Sequence, residues 1–520
     1  MRENLGVFLA KRAHLGPAAE ALVEIERGHR FTYSELNARA NRVAHLLRAK
    51  GVQKGDRVAC LLMNGVESVE SYFGVAKIGA VLVPLNWRLV PDELEFILND
   101  SGAIILIYDA EVAPAVAALR NRATAVQTWL GVGPAGAVSS EDSYERAFNQ
   151  ASPAEPVAAG EGDDLLFIMY TSGTTGRPKG AMHTHASMIW GSLTWNMTCE
   201  LRIGDRDLVV LPLFHIGALL PLTAVLHRGS TAVVMRTYDT RAVLEVIQRE
   251  RISTMLLVTT ILQRLLAHPD RSTFDLGSLR WSVVGGSPVP LDLLEQCAML
   301  GIEVRQDYGL TESGPVTVTS PEEAETKMGS AGKACFHTDV RIADDSGYEV
   351  PRGELGEIIV RGRHVMTGYW NRPAATAAAI RDGWLYTGDL GVMDHDGSLW
   401  VRDRKTDVII SGGENIYPAE VESVLLAHPA VKEVAVIGIP SVKWGESPAA
   451  VVVAEAGSRP AEEELIAYCR TKMAAYKIPR RVAFVGQLPR TPTGKVQKQP
   501  LRELFEPASQ DVNSLLTPRA

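Results

Sequence analysis

The chain has 520 residues, with 53 lysines and arginines against 61 aspartates and glutamates, and a formal net charge of −8 at pH 7. At about 150 residues per domain this length predicts roughly three folding units, and a hydrophobic content of 46% is enough to give them buried cores. The acidic balance and the lack of a long lysine or arginine run argue against bulk binding of nucleic acid, although a local basic groove stays open.

Strand and helix patterns alternate through the first part of the chain. A capping box at Thr32–Glu35 opens a helix that ends at Gly51. Runs that are apolar on both faces indicate strands buried in parallel sheets, with helices such as 68–77 packed outside them. The predicted strands are 57–63, 80–84, 165–170, 231–235, 254–258 and 281–284. The stretch Pro134–Gly162, rich in Ala, Gly, Pro and Ser, is interpreted as a loose connector.

The pattern changes after about residue 330 and again after Arg404. Glycine-containing turns at Asp344–Gly347 and Asp394–Gly397 indicate antiparallel strands in the first of these regions. Beyond Arg404 a compact α+β unit is predicted. Its strands are 408–410, 434–437, 450–453 and 482–485, and its helices begin at Pro418 and Ala461. We therefore predict a large domain over residues 1–403, a hinge at 404–407 and a small domain over 408–520.

Targeting and membrane-spanning segments are not expected. The N-terminus has only a four-residue apolar run before Lys11, too short for a signal-peptide core. The longest uncharged apolar stretch, Ile216–Leu226, falls short of the about 20 residues that a spanning helix needs. Peripheral membrane contact stays open through Arg228, Arg236 and Arg241, with a solvated face as the alternative.

The cysteines favour a reducing compartment. Their number is odd and no CxxC pair occurs, so they form neither a disulfide framework nor a zinc site. They are Cys60, Cys199, Cys297, Cys335 and Cys469. A cytoplasmic location is therefore predicted.

The segment Leu165–Gly180, LLFIMYTSGTTGRPKG, carries the clearest chemistry in the sequence. A buried strand runs into glycines that free the backbone, hydroxyl donors, and the cation of Lys179. Such a combination suits a polyphosphate. The spacing does not fit the Walker A pattern GxxxxGK[ST]. The alternative is a solvent-exposed linker, which the preceding buried strand and the lysine disfavour.

The segment TSGTTGRPKG resembles the signature loop of the adenylate-forming superfamily, which includes acyl-CoA synthetases, luciferases and peptide-synthetase adenylation domains. Further segments similar to motifs of this family follow in order along the chain. They are LPLFH at 211–215, GGSPVP at 285–290, QDYGLTE at 306–312, YTGD at 386–389, DR at 403–404 with SGGENIYP at 411–418, and PTGK at 492–495. Gly412, Gly413 and the Trp444-Gly-Glu segment resemble the acyl-CoA synthetase branch. The overall pattern, including VMTGYW at 365–370, is most similar to bacterial fatty-acyl-CoA synthetases.

This resemblance implies an α/β fold. A large N-terminal domain of parallel-rich sheets flanked by helices, with a distorted antiparallel barrel, would precede a small, mobile α+β C-terminal domain. It also implies ATP-dependent ligation of a small carboxylic acid to coenzyme A, with Mg²⁺, through an acyl-adenylate that releases AMP and pyrophosphate. This chemistry is consistent with the motifs. Transfer of AMP from ATP to the carboxylic acid supplies a good leaving group, and cations stabilise the negative charge that develops on the phosphates.

The resemblance also assigns roles to individual residues. Catalysis falls to Lys495, Thr171, Glu312 and His215, and Glu312 and Thr171 are the expected Mg²⁺ ligands. The expected ATP and CoA contacts are Thr171, Ser172, Gly173, Thr174, Thr175, Lys179, Gly285, Gly286, Ser287, Asp307, Tyr308, Gly309, Thr311, Asp389, Arg404, Gly412, Gly413 and Trp444. Taken alone, several have ordinary alternatives: a cap or surface residue for Glu312, a core aromatic for Tyr308, an Asx turn for Asp389, a boundary salt bridge for Arg404, a core histidine for His215 and a solvated lysine for Lys495.

Lys495 follows a turn-rich loop that could project its side chain away from its own domain. An ammonium between the acid carboxylate and the α-phosphate would relieve the repulsion between two approaching anions. Rotation at the hinge would then withdraw Lys495 and admit the thiol. Family members often carry Asp or Lys two residues after the hinge arginine, whereas this chain has Thr406, so the pivot is either Thr406 or its neighbour.

The acid is less narrowly defined. The pocket segment His215–Leu220 is small and apolar, with no cation that would select a dicarboxylate. Medium- to long-chain fatty acids are predicted first, and aryl or cinnamic-type acids second. A nucleotide-binding relative without turnover is the non-enzymatic alternative, which the intact Lys179, Glu312, Asp389 and Lys495 oppose. A luciferase-like oxidation is a further alternative, since luciferases share the same motifs. The sequence also leaves open whether the chain forms a homo-oligomer.

Overall fold

A computed structural model describes residues 3–134, 143–171, 178–286, 289–405, 407–411, 414–441, 444–470, 472–473, 475–490 and 495–505. Its α-helices are α1 Leu5–Leu15, α2 Tyr33–Ala49, α3 Val66–Lys77, α4 Pro91–Ser101, α5 Ala113–Leu119, α6 Tyr144–Gln150, α7 His185–Thr198, α8 Ile216–Arg228, α9 Thr240–Glu250, α10 Thr259–Ala267, α11 Leu291–Met299, α12 Pro321–Thr326, α13 Pro373–Ala379, α14 Pro418–Leu426, α15 Glu462–Arg470 and α16 Lys498–Arg502.

The strands are β1 Glu20–Glu24, β2 His29–Thr32, β3 Arg57–Leu61, β4 Val81–Pro84, β5 Ile105–Asp109, β6 Thr128–Val132, β7 Leu165–Thr171, β8 Lys179–Thr184, β9 Arg206–Val209, β10 Thr231–Val234, β11 Thr254–Val258, β12 Trp281–Gly285, β13 Val304–Leu310, β14 Gly314–Val318, β15 Lys333–Ala334, β16 Asp339–Ala343, β17 Leu355–Arg361, β18 Gly368–Tyr369, β19 Ile380–Arg381, β20 Trp384–Met393, β21 Leu399–Arg404, β22 Ile409–Ser411, β23 Glu414–Ile416, β24 Val431–Ser441, β25 Gly445–Ala454 and β26 Arg481–Phe484. Short 3₁₀ turns lie at Ala110–Val112, Arg271–Thr273 and Glu503–Phe505.

The chain divides into two compact units. The first comprises Met1–Arg341, Ile359–Tyr386 and Asp396–Leu399, and the second comprises Ile342–Ile358, Thr387–His395 and Trp400–Ala520. The domain boundary expected at residues 404–407 stays a prediction. No helix within the described ranges is both long and apolar enough to cross a bilayer.

Two large sheets form the first unit, and both are mostly parallel as predicted. The described strands of one run in the order β15-β14-β13-β12-β11-β9-β10-β1-β2, and those of the other in the order β18-β8-β7-β4-β3-β5-β6. Every residue of β4, β5, β10 and β12 is buried, which explains why their sequences are apolar on both faces. Antiparallel pairing is confined to the edges, in the pairs β1–β2, β13–β14, β14–β15, β7–β8 and β18–β8.

Helix α2 shows how local signals fix an element of this unit. The Thr32 side chain accepts from the Glu35 backbone N–H, and the Glu35 side chain accepts from the Thr32 backbone, so the predicted capping box is confirmed. Helix α2 packs against α3. A Cβ at Gly74 would lie 2.6 Å from Val43 Cβ and 2.9 Å from the Ala40 carbonyl oxygen, so the two helices approach closely at a glycine.

The interpretation of Pro134–Gly162 as a loose connector is wrong in one part. Residues 135–142 lie outside the described ranges, but Tyr144–Gln150 forms α6. Its N-cap, Ser143, accepts from the Arg146 N–H at 3.2 Å. Tyr144 and Phe148 lie four residues apart on one face and are both buried, so tertiary packing stabilises a helix too short to form alone.

Another sheet has the order β16-β17-β20-β19, with β21 paired to β20. The sheet of the C-terminal region has the order β23-β22-β25-β24, with β26 parallel to β25. Strands β24 and β25 are longer than the runs 434–437 and 450–453 suggested, because they pair antiparallel over most of their length. Its two faces carry separate apolar clusters, one of them under α14 and α15, and the predicted small α+β fold is confirmed.

We predict that Gly74→Ala lowers the free energy of unfolding by about 1–3 kcal/mol, because the added methyl group overpacks the contact between α2 and α3. Gly217→Ala, in α8, is the matched control, since a Cβ there meets no described atom within 4 Å. The control variant should be unchanged or slightly more stable. Denaturant unfolding followed by tryptophan fluorescence makes the comparison, and equal stabilities of the two variants would contradict the close approach.

Candidate active site

The hairpin of β7 and β8 holds both ends of the predicted phosphate loop. Thr171 at the end of β7 is the register partner of Lys179 at the start of β8, and its Oγ1 donates to the Lys179 carbonyl oxygen at 3.4 Å. Ser172, Gly173, Thr174 and Thr175, predicted to contact phosphates, lie outside the described residues. The two described members of the predicted phosphate set therefore stand side by side.

Tyr369 joins two residues that were predicted from separate motifs. It lies on β18, which pairs antiparallel with β8, and its register partner is Ala181. Its hydroxyl donates to Glu312 Oε1 at 2.9 Å, and Lys179 Nζ lies 5.3 Å from the centre of its ring. Burial and the neighbouring carboxylate raise the pKa of Tyr369 well above its ordinary value, so the hydroxyl keeps the proton that it donates.

The backbone around Glu312 is held from two further sides. The Met366 N–H donates to the Glu312 carbonyl oxygen at 2.8 Å, and His183 Nε2 lies 2.8 Å from the Thr311 carbonyl oxygen. Burial lowers the pKa of His183 to about 4, so the ring is neutral and Nε2 carries the donated proton. The sequence analysis missed Tyr369 and His183, whose local patterns are also typical of core residues.

The predicted adenine segments meet where β12 and β13 end. A Cβ at Gly285 would lie 1.7 Å from Asp307 Oδ1, so the space beside this glycine is filled by the Asp307 carboxyl group. At Gly286, φ is +79° and a Cβ would meet Val258 Cγ1 at 3.8 Å among the described atoms, and its predicted contact with the base stays a prediction. Ser287 lies outside the described residues.

Tyr308 and Gly309 lie at an irregular point of the β13–β14 hairpin, where the register shifts between them. Tyr308 is half-buried opposite Thr317. A Cβ at Gly309 would lie 2.5 Å from the Gly314 carbonyl oxygen, so the two strands require glycine here. This close approach brings Thr311 and Glu312 to the end of the hairpin.

His215 is the N-cap residue of α8, and its carbonyl oxygen accepts from the Ala218 and Leu219 N–H groups at 3.0 Å each. Its ring centre lies 4.4 Å from that of Phe214. The helix is apolar, and Leu219 and Leu220 are buried. Its predicted role near the acid carboxylate stays a prediction.

In the second unit the predicted ribose contacts lie together. Arg404 Nε is 3.3 Å from Asp389 Oδ1, which joins β21 to β20. The next residue, Lys405, donates its backbone N–H to the Gly388 carbonyl oxygen at 2.8 Å, and its Nζ lies 2.7 Å from Asp345 Oδ1. The salt bridge that was the ordinary alternative for Arg404 is therefore present, and its ribose role stays a prediction. Thr406 lies outside the described residues.

Lys495 lies in the segment between Arg490 and Val496, which form an isolated antiparallel bridge. Its side chain is exposed, which fits both a projecting lysine and the solvated lysine that was its ordinary alternative. Trp444, another predicted contact, is 40% exposed. Gly412 and Gly413 lie outside the described residues. The contacts of Lys495 and Trp444 with substrates stay predictions.

The Mg²⁺ role expected of Glu312 and Thr171 stays a prediction. In the described part of the chain, no three or more His, Cys, Asp or Glu side chains gather as a metal-binding group. Mg²⁺ commonly takes one or two carboxylates together with substrate phosphates and water. The Glu312 carboxylate, which accepts from the Tyr369 hydroxyl, is an oxygen donor of the kind that such an ion takes.

The pKa of Asp307 makes stability depend on pH. Burial raises the pKa of Asp307 and of Asp207 from 3.8 to about 7, so both keep a proton in the folded chain at pH values where the unfolded chain has lost it. The stability that each contributes therefore falls as pH rises from about 4 to about 7. We predict that Asp307→Asn gains stability relative to the parent chain over this interval.

Urea unfolding at several pH values measures this difference. Asp207→Asn is the control, because Asp207 titrates in the same way but accepts from Thr254 Oγ1 at 2.7 Å on β11, outside the predicted site segments. Both variants should show the same sign of pH dependence, while only Asp307→Asn should change ATP affinity. A difference from the parent chain that is independent of pH would show that the Asp307 carboxyl group is not desolvated.

Comparison with known proteins gives a consistent result over nearly the whole chain. Residues 9–370 match the family described as AMP-binding enzyme, and residues 420–495 match its C-terminal domain. The chain is 43% identical over 507 residues to the long-chain-fatty-acid–CoA ligase FadD13 of Mycobacterium tuberculosis, covering 97% of this chain and 99% of that protein. A feruloyl-CoA synthase of Amycolatopsis is 44% identical over 505 residues, with coverage of 97% and 99%. The solved structure of ATP-bound MatB from Rhodopseudomonas palustris is 34% identical, covers 97% of this chain and 99% of that chain, and has a TM-score of 0.89.

Proposed function

This chain belongs to the AMP-binding enzyme family and is an AMP-forming acid–CoA ligase, and on that premise we propose that its acid is a medium- to long-chain fatty acid. The observation that supports this substrate is the apolar character of α8, in which Leu219, Leu220 and Leu222 are buried. A Cβ at Gly191 would lie 2.9 Å from Leu220 Cδ1, and one at Gly314 would lie 3.2 Å from it. Burial lowers the pKa of the adjacent His364 to about 4, so this ring is neutral near pH 7 and adds no charge that would oppose an apolar tail.

Aryl acids are the second candidate. The feruloyl-CoA synthase is as similar to this chain as the long-chain ligase is, so overall identity does not separate the two substrates. A second carboxylate on the tail is disfavoured by the apolar segment His215–Leu220, which carries no lysine or arginine to pair with it. The length of the acyl chain and the presence of an aromatic ring are therefore the substrate properties to vary in an assay.

In the first half-reaction a carboxylate oxygen of the acid attacks the α-phosphorus of ATP, and pyrophosphate leaves. Lys179 and Thr171 would hold the departing phosphates from the β7–β8 hairpin, and Asp389 would accept hydrogen bonds from the ribose hydroxyls. Glu312 would hold Mg²⁺, which supplies countercharge to the phosphates when bound. In the second half-reaction the CoA sulfur attacks the acyl carbon, and AMP leaves.

Lys495 would act only in the first half-reaction. Its ammonium can offset the repulsion between the acid carboxylate and the α-phosphate, a charge pair that no longer exists once the adenylate has formed. Rotation at residues 404–407 would then remove it. A cytoplasmic location is part of the proposal, because the cysteines, all five of which lie in described positions, are free and buried.

We predict that pyrophosphate release is fastest with saturated acids of about 8–16 carbons. Each methylene group that an apolar site buries makes the binding free energy of the acid more favourable by about 0.8 kcal/mol. The measurement is a coupled pyrophosphate assay over a graded series of fatty acids, ferulate, cinnamate and succinylbenzoate. Ferulate exceeding every fatty acid in kcat/KM would replace the fatty-acid proposal with the aryl one. Formation of ADP and phosphate in place of AMP and pyrophosphate would refute the reaction itself.

Lys495→Ala should slow acyl-adenylate formation by about 10²-fold or more, in line with the loss of one oriented charge contact to the transition state. Thioester formation from supplied acyl-adenylate and CoA should remain within about threefold of the parent rate. Lys432→Ala removes an exposed lysine of the same unit and is the control. Single-turnover measurements of the two steps separate these effects, and equal losses in both would argue against a role confined to adenylation.

A further inference from the structure

We propose that Tyr369 is a positioning residue that keeps the Lys179 ammonium and the Glu312 carboxylate apart, so that both stay available to the phosphates and metal of ATP. The inference rests on the ATP-binding role proposed above for Lys179 and Glu312. It concerns a residue that the sequence motifs contain but to which they gave no role. Tyr369 contacts both groups, with its hydroxyl 2.9 Å from Glu312 Oε1 and its ring centre 5.3 Å from Lys179 Nζ.

The physical problem is the attraction between opposite charges in a partly buried place. A lysine and a glutamate that approach there would form an ion pair, and each would then neutralise the other instead of a ligand. Among the ion pairs of the described residues none joins Lys179 to Glu312, and each of the two contacts Tyr369 instead. The aromatic face attracts the cation while the phenol hydroxyl binds the anion, so one side chain satisfies both groups separately.

Tyr369 can do this because its backbone is fixed from both sides. Thr367 N–H donates to the Met182 carbonyl oxygen at 3.0 Å, and Trp370 N–H donates to the Gly180 carbonyl oxygen at 2.8 Å, which ties the segment to β8. Tyr369 N–H donates to Thr376 Oγ1 at 2.9 Å. A short rigid strand therefore places the ring at the start of β8, where Lys179 lies.

Glu312 is tied to the same short segment. The Met366 N–H donates to its carbonyl oxygen, only three residues before the tyrosine that binds its side chain. Backbone and carboxylate are thus oriented by one piece of chain. The tyrosine hydroxyl donates to Oε1. Because the two carboxylate oxygens are rigidly linked, this hydrogen bond also restricts the orientation of Oε2. Hydrogen bonds of this kind to a ligating carboxylate typically tune metal affinity by about 10–100-fold when removed.

The experiment compares ATP binding to the full chain with and without metal. Tyr369→Phe keeps the ring beneath Lys179 but removes the bond to Glu312. Calorimetric titration with ATP in excess Mg²⁺ should show about tenfold weaker binding than the parent chain, whereas titration in EDTA should stay within about twofold. Tyr369→Leu, which removes ring and hydroxyl, should weaken binding in both buffers.

Two further variants show whether the effect passes through Glu312. Glu312→Gln should abolish most of the metal-dependent difference, and adding Tyr369→Phe to it should cause no further loss. Tyr144→Phe is the matched control, because Tyr144 also donates to a glutamate, with 2.6 Å between its hydroxyl and Glu70 Oε1, but it lies on α6. Its ratio of affinities in the two buffers should equal that of the parent.

The outcomes separate this inference from the proposed function. An unchanged affinity ratio in Tyr369→Phe would overturn the positioning role and leave Tyr369 as a packing residue, with ATP binding intact. Failure of the parent chain to bind ATP in either buffer would overturn the proposed function and the inference with it. Each ratio comes from one preparation, so partial unfolding of a variant lowers the binding stoichiometry but leaves the ratio interpretable.

Discussion

The pairing of β18 with β8 is the interaction on which the candidate site depends. Two residues of β18 form this ladder at the edge of an otherwise parallel sheet. Because the antiparallel edge is continued by β7, it sets the start of β8 beside Thr171 and beneath the ring of Tyr369. Lys179 lies at that start. A short backbone ladder therefore determines the position of Lys179, the cation predicted to bind the phosphates.

The polar groups near the candidate site are of two kinds. Buried, neutral groups hold the backbone in place, and charged groups are proposed to contact ATP. Desolvation keeps His183 and His364 neutral near pH 7 and raises the pKa of Asp307. Neutral groups of this kind can hold backbone and shape walls without competing for phosphates. The side chains proposed to meet ATP directly, Lys179 and Glu312, are instead joined through an aromatic ring. Each of these two charged groups therefore has a contact with Tyr369.

In the second unit, charged side chains near the predicted hinge also form ion pairs. Arg404 is held by Asp389, and Lys405 by Asp345 and Glu357. Asp407, on the other side of position 406, lies within 3.7 Å of the Lys498 ammonium. The side chains flanking the predicted pivot are thus tied to different partners. The hinge at residues 404–407 itself stays a prediction.

The sequence alone determined much of this molecule. Capping at Thr32, two-sided apolar runs and the ordered motifs were enough for the α/β architecture and the adenylate-forming family, because these signals are local or depend only on chain order. Tertiary structure decided the rest. It turned part of a presumed connector into α6, filled the space beside Gly285 with Asp307, and brought Tyr369 between Lys179 and Glu312. Such contacts join residues far apart in the chain, and no local propensity or spacing encodes which side chain an edge strand will place against another.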